Sequence, residues 1–186
     1  MKAYILSDGE FETEKLRRLE CLVKRCLGER GFEITEKRLA PEELAYCIGC
    51  FSCWIKKPGE CLIKDTMAEI NRGTMTCDVV VYLCPVVFGQ FSANIKNAID
   101  RWVPNVLPFF IIRPDGSTIH PARYKTNPRF VMIGYGENLS EKDVQLFIDI
   151  TKKHHLNREV LIYNNNDEET ASELLTIELE RTGDRL

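Results

Sequence analysis

The sequence contains no long apolar run, no excess of basic residues and no low-complexity segment. Its longest apolar stretch, residues 79–88, is far too short to cross a bilayer. The formal net charge is −3, with 28% charged residues, so the charge pattern favours neither a nucleic-acid nor a membrane partner. Residues 1–6 run straight into a strand-like segment, without a signal-peptide pattern. We therefore expect a cytoplasmic protein that binds neither nucleic acid nor membrane.

The chain also lacks internal repeats and linkers, which predicts a single domain over residues 1–186. Hydrophobic residues make up 44% of it, enough for one sizeable core. Five strand patterns alternate with helical patterns, as in a parallel sheet that is covered by helices on both faces. The strands are predicted at residues 2–6, 32–39, 77–83, 129–134 and 158–163, and the helices at 11–30, 65–72, 90–102, 140–155 and from 170 onwards.

Several residues predict where these elements begin and end. Asp65 is expected to cap the second helix, and Gly73 to end it. Ser140 and Asp143 form a capping-box pattern at the start of the fourth helix. Residues 103–128 are rich in proline and aromatic residues and form a long excursion, whose role as a lid, a dimerisation arm or a substrate wall the composition does not decide.

The fold class predicted from this alternation is a three-layer α/β sandwich with a five-stranded parallel sheet of order 2-1-3-4-5. In such a sheet the switch point lies between the first and third strands, and ligands bind there at the carboxyl ends of the strands. The loops expected to bind ligands are residues 7–14, 46–61, 84–92 and 134–138.

Eight cysteines are many for a chain expected in a reducing compartment, where clustered thiols favour metal binding or redox chemistry. Cys47, Cys50, Cys53 and Cys61 all fall within the cysteine-rich loop, residues 46–62. Thiolates suit iron–sulfur clusters or zinc. Three cysteines at successive two-residue gaps, with a fourth beyond a Pro-Gly turn, favour a [4Fe–4S] cluster. Zinc, a redox pair of Cys47 and Cys50, and a loop without metal are the alternatives.

The segment after the third predicted strand, residues 85–92, carries Pro, Gly and Ser in a turn before a helix. Its backbone N–H groups and the Ser92 hydroxyl can hydrogen-bond the polar edge of a planar ring such as isoalloxazine, with Phe88 packed nearby. Plain turn chemistry explains the same residues. Taken alone, the segment does not decide the ligand.

Together, residues 47–102 carry a pattern that resembles the NADPH-dependent FMN reductase superfamily, and most closely its iron–sulfur flavoprotein branch. The pattern joins Cys-x-Gly-Cys-x-x-Cys-Trp and Pro-Gly-x-Cys to Pro-Val-x-Phe-Gly, Ser-Ala and Asp-Arg. The resemblance extends over roughly residues 1–102. It implies a flavodoxin-like fold, bound FMN, NAD(P)H as co-substrate and assembly into homodimers or homotetramers. In the iron–sulfur branch, a [4Fe–4S] cluster exchanges electrons with the flavin.

The resemblance also assigns residues to the cofactors. The cluster is expected on the four cysteines of the cysteine-rich loop. A further flavin loop, after the fourth strand, adds Tyr135 and Gly136 near the ring. The residues expected at the flavin ring itself are Pro85, Val86, Val87, Phe88, Gly89 and Ser92.

The first loop, residues 7–14, departs from the family pattern. Ser7, Gly9 and Thr13 can donate hydrogen bonds to the FMN phosphate, assisted by the helix dipole. Four acidic residues in the same loop would repel a dianionic phosphate, by about 1 kcal/mol for each close exposed pair. Acidic residues in a first helical turn are also ordinary partners of the dipole. A capped helix without a phosphate site is therefore the other interpretation of this loop.

Three functions are compatible with these patterns. In the first, FMN is reduced by NAD(P)H or a protein donor and passes electrons to the cluster or to an external acceptor, either a small molecule or a protein. In the second, a flavodoxin-like binding or scaffold domain has weakened or lost FMN binding and keeps a structural metal or dithiol loop. The third is a quinone or azo reductase without a cluster. We predict no catalytic side chain, because the flavin itself performs the hydride chemistry.

Overall fold

The computed structural model describes residues 1–154, 159–163, 171–173, 175–176 and 179. Within these residues, every helix is too short or too polar to cross a bilayer. The strands are β1 (Lys2–Asp8), β2 (Glu33–Leu39), β3 (Val79–Val87), β4 (Gln90–Phe91), β5 (Ile111–Ile112), β6 (Thr118–Ile119), β7 (Arg129–Tyr135) and β8 (Glu159–Tyr163). The helices are α1 (Glu14–Glu29), α2 (Ser52–Ile55), α3 (Met67–Met75), α4 (Ala93–Asp100) and α5 (Glu141–His154), with a 3-10 turn at Val103–Asn105.

The central sheet has the order β2-β1-β3-β7-β8, and all of these strands pair in parallel. This confirms the predicted α/β architecture and its strand order. The prediction of five strands was short by one, because the two-residue strand β4 pairs antiparallel with the end of β3. Strand β2 lies at the sheet edge, and its alternating polar side chains suit that position.

Two hydrophobic cores lie on opposite faces of the sheet, because successive side chains of a strand point to opposite sides. In β1, Tyr4 and Leu6 face one core, together with residues of α3, α4 and α5. Ala3 and Ile5 face the other, together with α1 and the helical residues between 171 and 179. The predicted apolar face of α1 is buried throughout, which confirms that helix as one outer layer. Position 170, the predicted start of the last helix, lies outside the described residues.

Helix α1 begins three residues later than predicted. Thr13 is its N-cap residue, in extended conformation, and its Oγ1 accepts a hydrogen bond from the N–H of Leu16 at 3.1 Å. Phe11 and Glu12 precede this cap and therefore belong to the first loop. The fourth predicted helix, α5, begins as expected, because Ser140 Oγ accepts from the N–H of Asp143 at 3.1 Å.

The predicted end of the second helix was wrong. Helix α3 continues through Gly73 to Met75. Thr66 holds the N-cap position without a side-chain bond, and the Asp65 carboxylate accepts the N–H of Met67 at 3.2 Å, so Asp65 supplies the predicted cap. Gly73 is required for close packing, because a Cβ at this position would lie 2.6 Å from Cε2 of Tyr4 in β1. A glycine that lets a helix approach a sheet carries the same sequence signal as a glycine that ends the helix.

The segment at residues 84–92 was predicted as a flavin-binding turn between strand and helix, and the structure corrects its conformation. Strand β3 continues to Val87 and returns as β4, so the segment is a β-hairpin. Its tip is Phe88-Gly89, with φ of 50° and 71°. Positive φ at both positions is the requirement of a two-residue type I′ hairpin turn. Consequently α4 starts at Ala93, three residues later than predicted.

The excursion, residues 103–128, folds onto the cysteine-rich loop. It contains the 3-10 turn and the small β5–β6 hairpin. Trp54, at the end of the cysteine pattern, donates its indole N–H to the carbonyls of Val103 and Val106, at 3.2 and 3.0 Å. The ring of His120 lies 4.9 Å from that of Trp54. These contacts join the excursion and the cysteine-rich loop into one surface.

Candidate functional site

The carboxyl ends of β1, β3 and β7 meet at the predicted switch point. Asp8 ends β1, and Pro85, near the end of β3, pairs with Tyr135 at the end of β7. Helix α4 begins at the same edge, since the side-chain amide of Asn94 donates to Asp8 Oδ1 at 2.8 Å. Ser92, the N-cap residue of α4, completes this group of buried polar residues.

Three polar atoms in this group have no nitrogen or oxygen partner among the described residues. They are Asp8 Oδ2, Ser92 Oγ and the Tyr135 hydroxyl, and all three are buried. Burial first, and then the Asp8 carboxylate, raises the pKa of Tyr135, so its hydroxyl stays protonated. Burial likewise raises the pKa of Cys84, beside Ser92, to about 12, so its thiol is inert at neutral pH. Buried polar atoms without partners are rare, and the polar edge of a flavin would satisfy the two hydroxyls.

Phe88 projects from the hairpin tip beside this edge. Its side chain is 90% exposed, although the residue adopts the left-handed conformation that bulky side chains disfavour. Gly89 packs against α5, where a Cβ would lie 2.8 Å from Leu146 Cδ2. Val86 and Val87 are half-buried beneath the tip. The hairpin is thus held by α5 and presents one aromatic ring to a ligand.

The three residues predicted to bind the FMN phosphate already have partners within the chain. Ser7 Oγ donates to Glu20 Oε1 at 3.1 Å, and the Gly9 N–H donates to the carbonyl of Leu39 at 2.7 Å. Thr13 Oγ1 caps α1. Their role at a phosphate therefore stays a prediction, one that requires these groups to change or share partners.

The acidic first loop is partly neutralised by basic residues that the sequence did not single out. Arg38, on the edge strand β2, pairs with Glu12 at 2.9 Å and with the buried Glu20 at 2.6 Å. Lys15 is only 4% exposed and donates from Nζ to the carbonyl of Gly136. This hydrogen bond joins the start of α1 to the loop after β7, which is predicted to lie near the flavin ring. Lys15 sits within the apolar pattern of α1, which gives no sign of such a contact.

The other three cysteines of the cysteine-rich loop affect the protonation of Cys53. Burial raises the pKa of Cys53, as do the neighbouring thiols of Cys61, Cys47 and Cys50. The pKa of Cys50 is lowered, chiefly by hydrogen bonds from the backbone and hydroxyl of Ser52. Cys47 and Cys50 are exposed, Cys53 and Cys61 are half-buried, and all four are free thiols. The loop therefore presents a set of soft ligands close to the surface.

The chemistry of these donors suits an iron–sulfur cluster. A [4Fe–4S] cluster takes one cysteine ligand for each of its four irons, and this loop supplies four. Among the described residues, no three Cys, His, Asp or Glu side chains converge on one point as they would around a single metal ion. A cluster on Cys47, Cys50, Cys53 and Cys61 therefore stays a prediction that rests on the donor set.

Arg101 is a residue at this site that sequence analysis did not identify. It follows α4 as its C-cap residue and is 1% exposed. Its guanidinium donates to Asp65, to the carbonyl of Ala45 and to Cys61 Sγ. Burial raises the pKa of Asp65, but hydrogen bonds from Arg101 and Ala45 outweigh this effect and lower it overall. The Asp-Arg dipeptide of the family pattern was the only signal for this residue, and it indicated no partner.

Comparison with known proteins places the chain in a family. The model of the NADPH-dependent FMN reductase family matches residues 15–114. An iron–sulfur flavoprotein of Archaeoglobus fulgidus is 35% identical over 78 residues, 42% of this chain and 34% of the relative. One from Methanocaldococcus jannaschii is 34% identical over 93 residues, 50% of this chain and 47% of the relative. The matched segments thus span less than half of each relative's length.

Solved structures with the same fold are more distant in sequence. An NAD(P)H:quinone oxidoreductase from Methanothermobacter marburgensis has a TM-score of 0.61 at 14% identity, covering 96% of this chain and 92% of that one. An azoreductase from Bacillus anthracis has a TM-score of 0.56 at 13% identity, covering 96% and 94%. These likenesses confirm the flavodoxin-like fold. With the family match over more than half of its residues, the chain belongs to the NADPH-dependent FMN reductase family, within which its curated relatives are iron–sulfur flavoproteins.

Proposed function

We propose that the chain is an FMN-dependent oxidoreductase that is reduced by NAD(P)H or a protein donor and exchanges electrons with a [4Fe–4S] cluster. When bound, FMN supplies two-electron hydride chemistry and the cluster supplies single-electron transfer. One observation carries the proposal: the eight-residue helix α4 links both candidate sites. Asn94, in its first turn, contacts Asp8 at the switch point, and Arg101, at its end, contacts Cys61. A helix of this length spans about 12 Å.

In this proposal the side chains bind and orient the cofactors. Phe88 packs against the ring, and the Ser92 and Tyr135 hydroxyls meet its polar edge. Tyr135 acts as a hydrogen-bond donor, because its raised pKa keeps the phenol protonated. Cys47, Cys50, Cys53 and Cys61 hold the cluster. No side chain is required as a proton donor or acceptor in the hydride step.

One observation favours the scaffold function as a second candidate. The groups of Ser7, Gly9 and Thr13 that would bind a phosphate have partners within the chain. The buried Asp8 carboxylate adds a negative charge at the same edge. A domain of this kind would bind FMN weakly or not at all and would use the cysteine-rich loop for structure. Flavin affinity therefore discriminates between the two functions.

Assembly into a homodimer or homotetramer, in the cytoplasm, is part of the proposal. Exposed apolar side chains on the hairpin tip and the excursion support an interface between copies of the chain. The most exposed of them are Phe88, Phe109, Phe110 and Ile112. Size-exclusion chromatography with light scattering tests this point, and a monomer at micromolar concentration would contradict it.

The experiment is anaerobic reconstitution with FMN, iron and sulfide, followed by titration with NADPH and NADH. We expect the wild-type protein to retain flavin and about four irons per chain, and its flavin absorbance to bleach on addition of one of the nucleotides. Cys53→Ser should lose iron and keep flavin. Cys21→Ser is the matched control, because Cys21 is an exposed cysteine on α1, and it should behave as wild type. Failure of the wild type to bind flavin would favour the scaffold function.

A further inference from the structure

We propose that Arg101 is a positioning residue for the iron–sulfur site: it fixes the two ends of the cysteine-rich loop and, through its hydrogen bond to Cys61, raises the reduction potential of the cluster. The inference rests on the proposed function, because it requires a cluster on the four cysteines. The inference gives a role to the buried Arg101 guanidinium, which belongs to neither hydrophobic core.

The guanidinium of Arg101 is held in one orientation by Asp65. Nη1 donates to Oδ2 at 2.8 Å and Nη2 donates to Oδ1 at 2.9 Å, which is a bidentate pair. Asp65 is fixed in turn, because it accepts the N–H groups of Ala45 and Met67, at 3.1 and 3.2 Å. The carboxylate thus has four donors from three parts of the chain. A guanidinium paired in this way has little freedom to turn away from its remaining contacts.

Those remaining contacts lie at the two ends of the cysteine-rich loop. Nη1 also donates to the carbonyl of Ala45, the residue before the loop, and Nη2 donates to Cys61 Sγ at 3.5 Å. Near the same end of α4, Asn97 donates to the carbonyl of Leu44 at 2.6 Å. The ends of the loop are therefore closed on α4 without help from a metal. Closing them in advance reduces the entropy lost when four thiols gather around a cluster.

The contact with Cys61 also has an electronic consequence. The reduction potential of an iron–sulfur cluster depends on net charge and on hydrogen bonds to its sulfurs. A donor on a ligand sulfur stabilises the extra negative charge of the reduced state more than it stabilises the oxidised state. The Asp65 carboxylate offsets most of the positive charge of Arg101, so the hydrogen bond to Cys61 is the contact that raises the potential. Cys61 is half-buried and accepts a hydrogen bond from Arg101, whereas Cys47 and Cys50 are exposed.

The test compares Arg101→Lys with a matched control, Arg30→Lys, in the reconstituted full chain. Lysine keeps the positive charge beside Asp65 but lacks the fork that reaches two partners at once. Arg30 lies at the end of α1, away from the cysteine-rich loop, and its Nη1 donates to a backbone carbonyl, that of Cys26, at 2.8 Å. The readouts are the midpoint potential of the cluster, from an equilibrium titration with dithionite, and the rate of iron loss to a chelator.

We expect Arg101→Lys to shift the midpoint potential to a more negative value and to weaken iron retention by roughly 10- to 100-fold, the range typical of residues that orient metal ligands. Arg30→Lys should leave both unchanged. Asp65→Glu provides a second variant if Arg101→Lys does not fold, because it keeps the negative charge beside Arg101, and it should shift the potential in the same direction by loosening the guanidinium. An unchanged potential in a folded, iron-loaded Arg101→Lys protein would overturn the inference alone. A wild-type protein that takes up no iron would overturn the cluster proposal as well.

Discussion

Replacing Asp8 by Asn tests whether the acidic switch point limits FMN binding. Asp8 Oδ1 accepts the Glu10 N–H at 3.0 Å and the Asn94 amide at 2.8 Å, and the carbonyl oxygen of Asn can keep both bonds. The substitution removes a buried charge and puts a donor at the oxygen that has no partner among the described residues. At about 8 Å and an effective dielectric constant of about 40, each phosphate charge would be repelled by about 1 kcal/mol. We therefore expect FMN to bind about 5- to 30-fold more tightly.

Riboflavin provides the internal reference, because it has the same ring and no phosphate. Flavin fluorescence quenching gives both dissociation constants. The dissociation constant of FMN divided by that of riboflavin should fall in Asp8→Asn. Asp78→Asn is the control, since its carboxylate accepts the Lys2 N–H at the opposite end of β1, about 20 Å away. An unchanged ratio in Asp8→Asn would refute the placement of the phosphate near this carboxylate.

Three further predictions concern stability and thiol chemistry. Gly73→Ala should destabilise the protein by about 1–3 kcal/mol through overpacking. Gly28→Ala, with open space at its Cβ, should stabilise it by up to about 1 kcal/mol. Urea denaturation compares the two variants, and equal changes in the free energy of unfolding would contradict the packing at Gly73. In metal-free protein, iodoacetamide should label Cys50 early, because its pKa is lowered, and Cys84 only on unfolding, because its pKa is about 12; mass spectrometry gives the order of labelling, and early modification of Cys84 would show that it is not buried. The pKa of Asp65 is lowered in the folded state, so its contribution to stability is present above its unfolded pKa of about 3.9 and is lost as the pH falls through the folded value. Asp65→Asn should therefore flatten the acid limb of the plot of unfolding free energy against pH. An unchanged acid limb would contradict this ion pair.

The sheet could be predicted from the sequence because its signals are local and mutually consistent. Continuous apolar runs identify the central strands, and the apolar face of α1 follows one helical period. The errors arose where one residue type serves two purposes. Gly73 is typical of a helix end, but in the structure it allows α3 to pack closely against Tyr4. Phe88-Gly89 reads as part of an open turn, because a bulky residue at positive φ is not expected at a hairpin tip.

The sequence predicts the ligands of both candidate sites, but it does not predict the residues that hold those ligands in place. Cysteine spacing predicts a metal-binding loop without reference to the fold. The partners of that loop come from distant parts of the chain, as in the contact between Arg101 and Cys61, 40 residues apart. Lys15 and Gly136 are 121 residues apart. Such pairs depend on the packing of helices against the sheet, which no local pattern encodes.

The central claim is that one chain holds both a flavin and an iron–sulfur cluster. The most direct test is the absorbance spectrum of protein purified without oxygen, with flavin, iron and acid-labile sulfide assayed on the same sample. We expect one flavin and about four irons and four sulfides per chain. Flavin without iron would leave a flavin reductase and remove the cluster from the account. A colourless protein that stays colourless after incubation with FMN, iron and sulfide would contradict the account entirely.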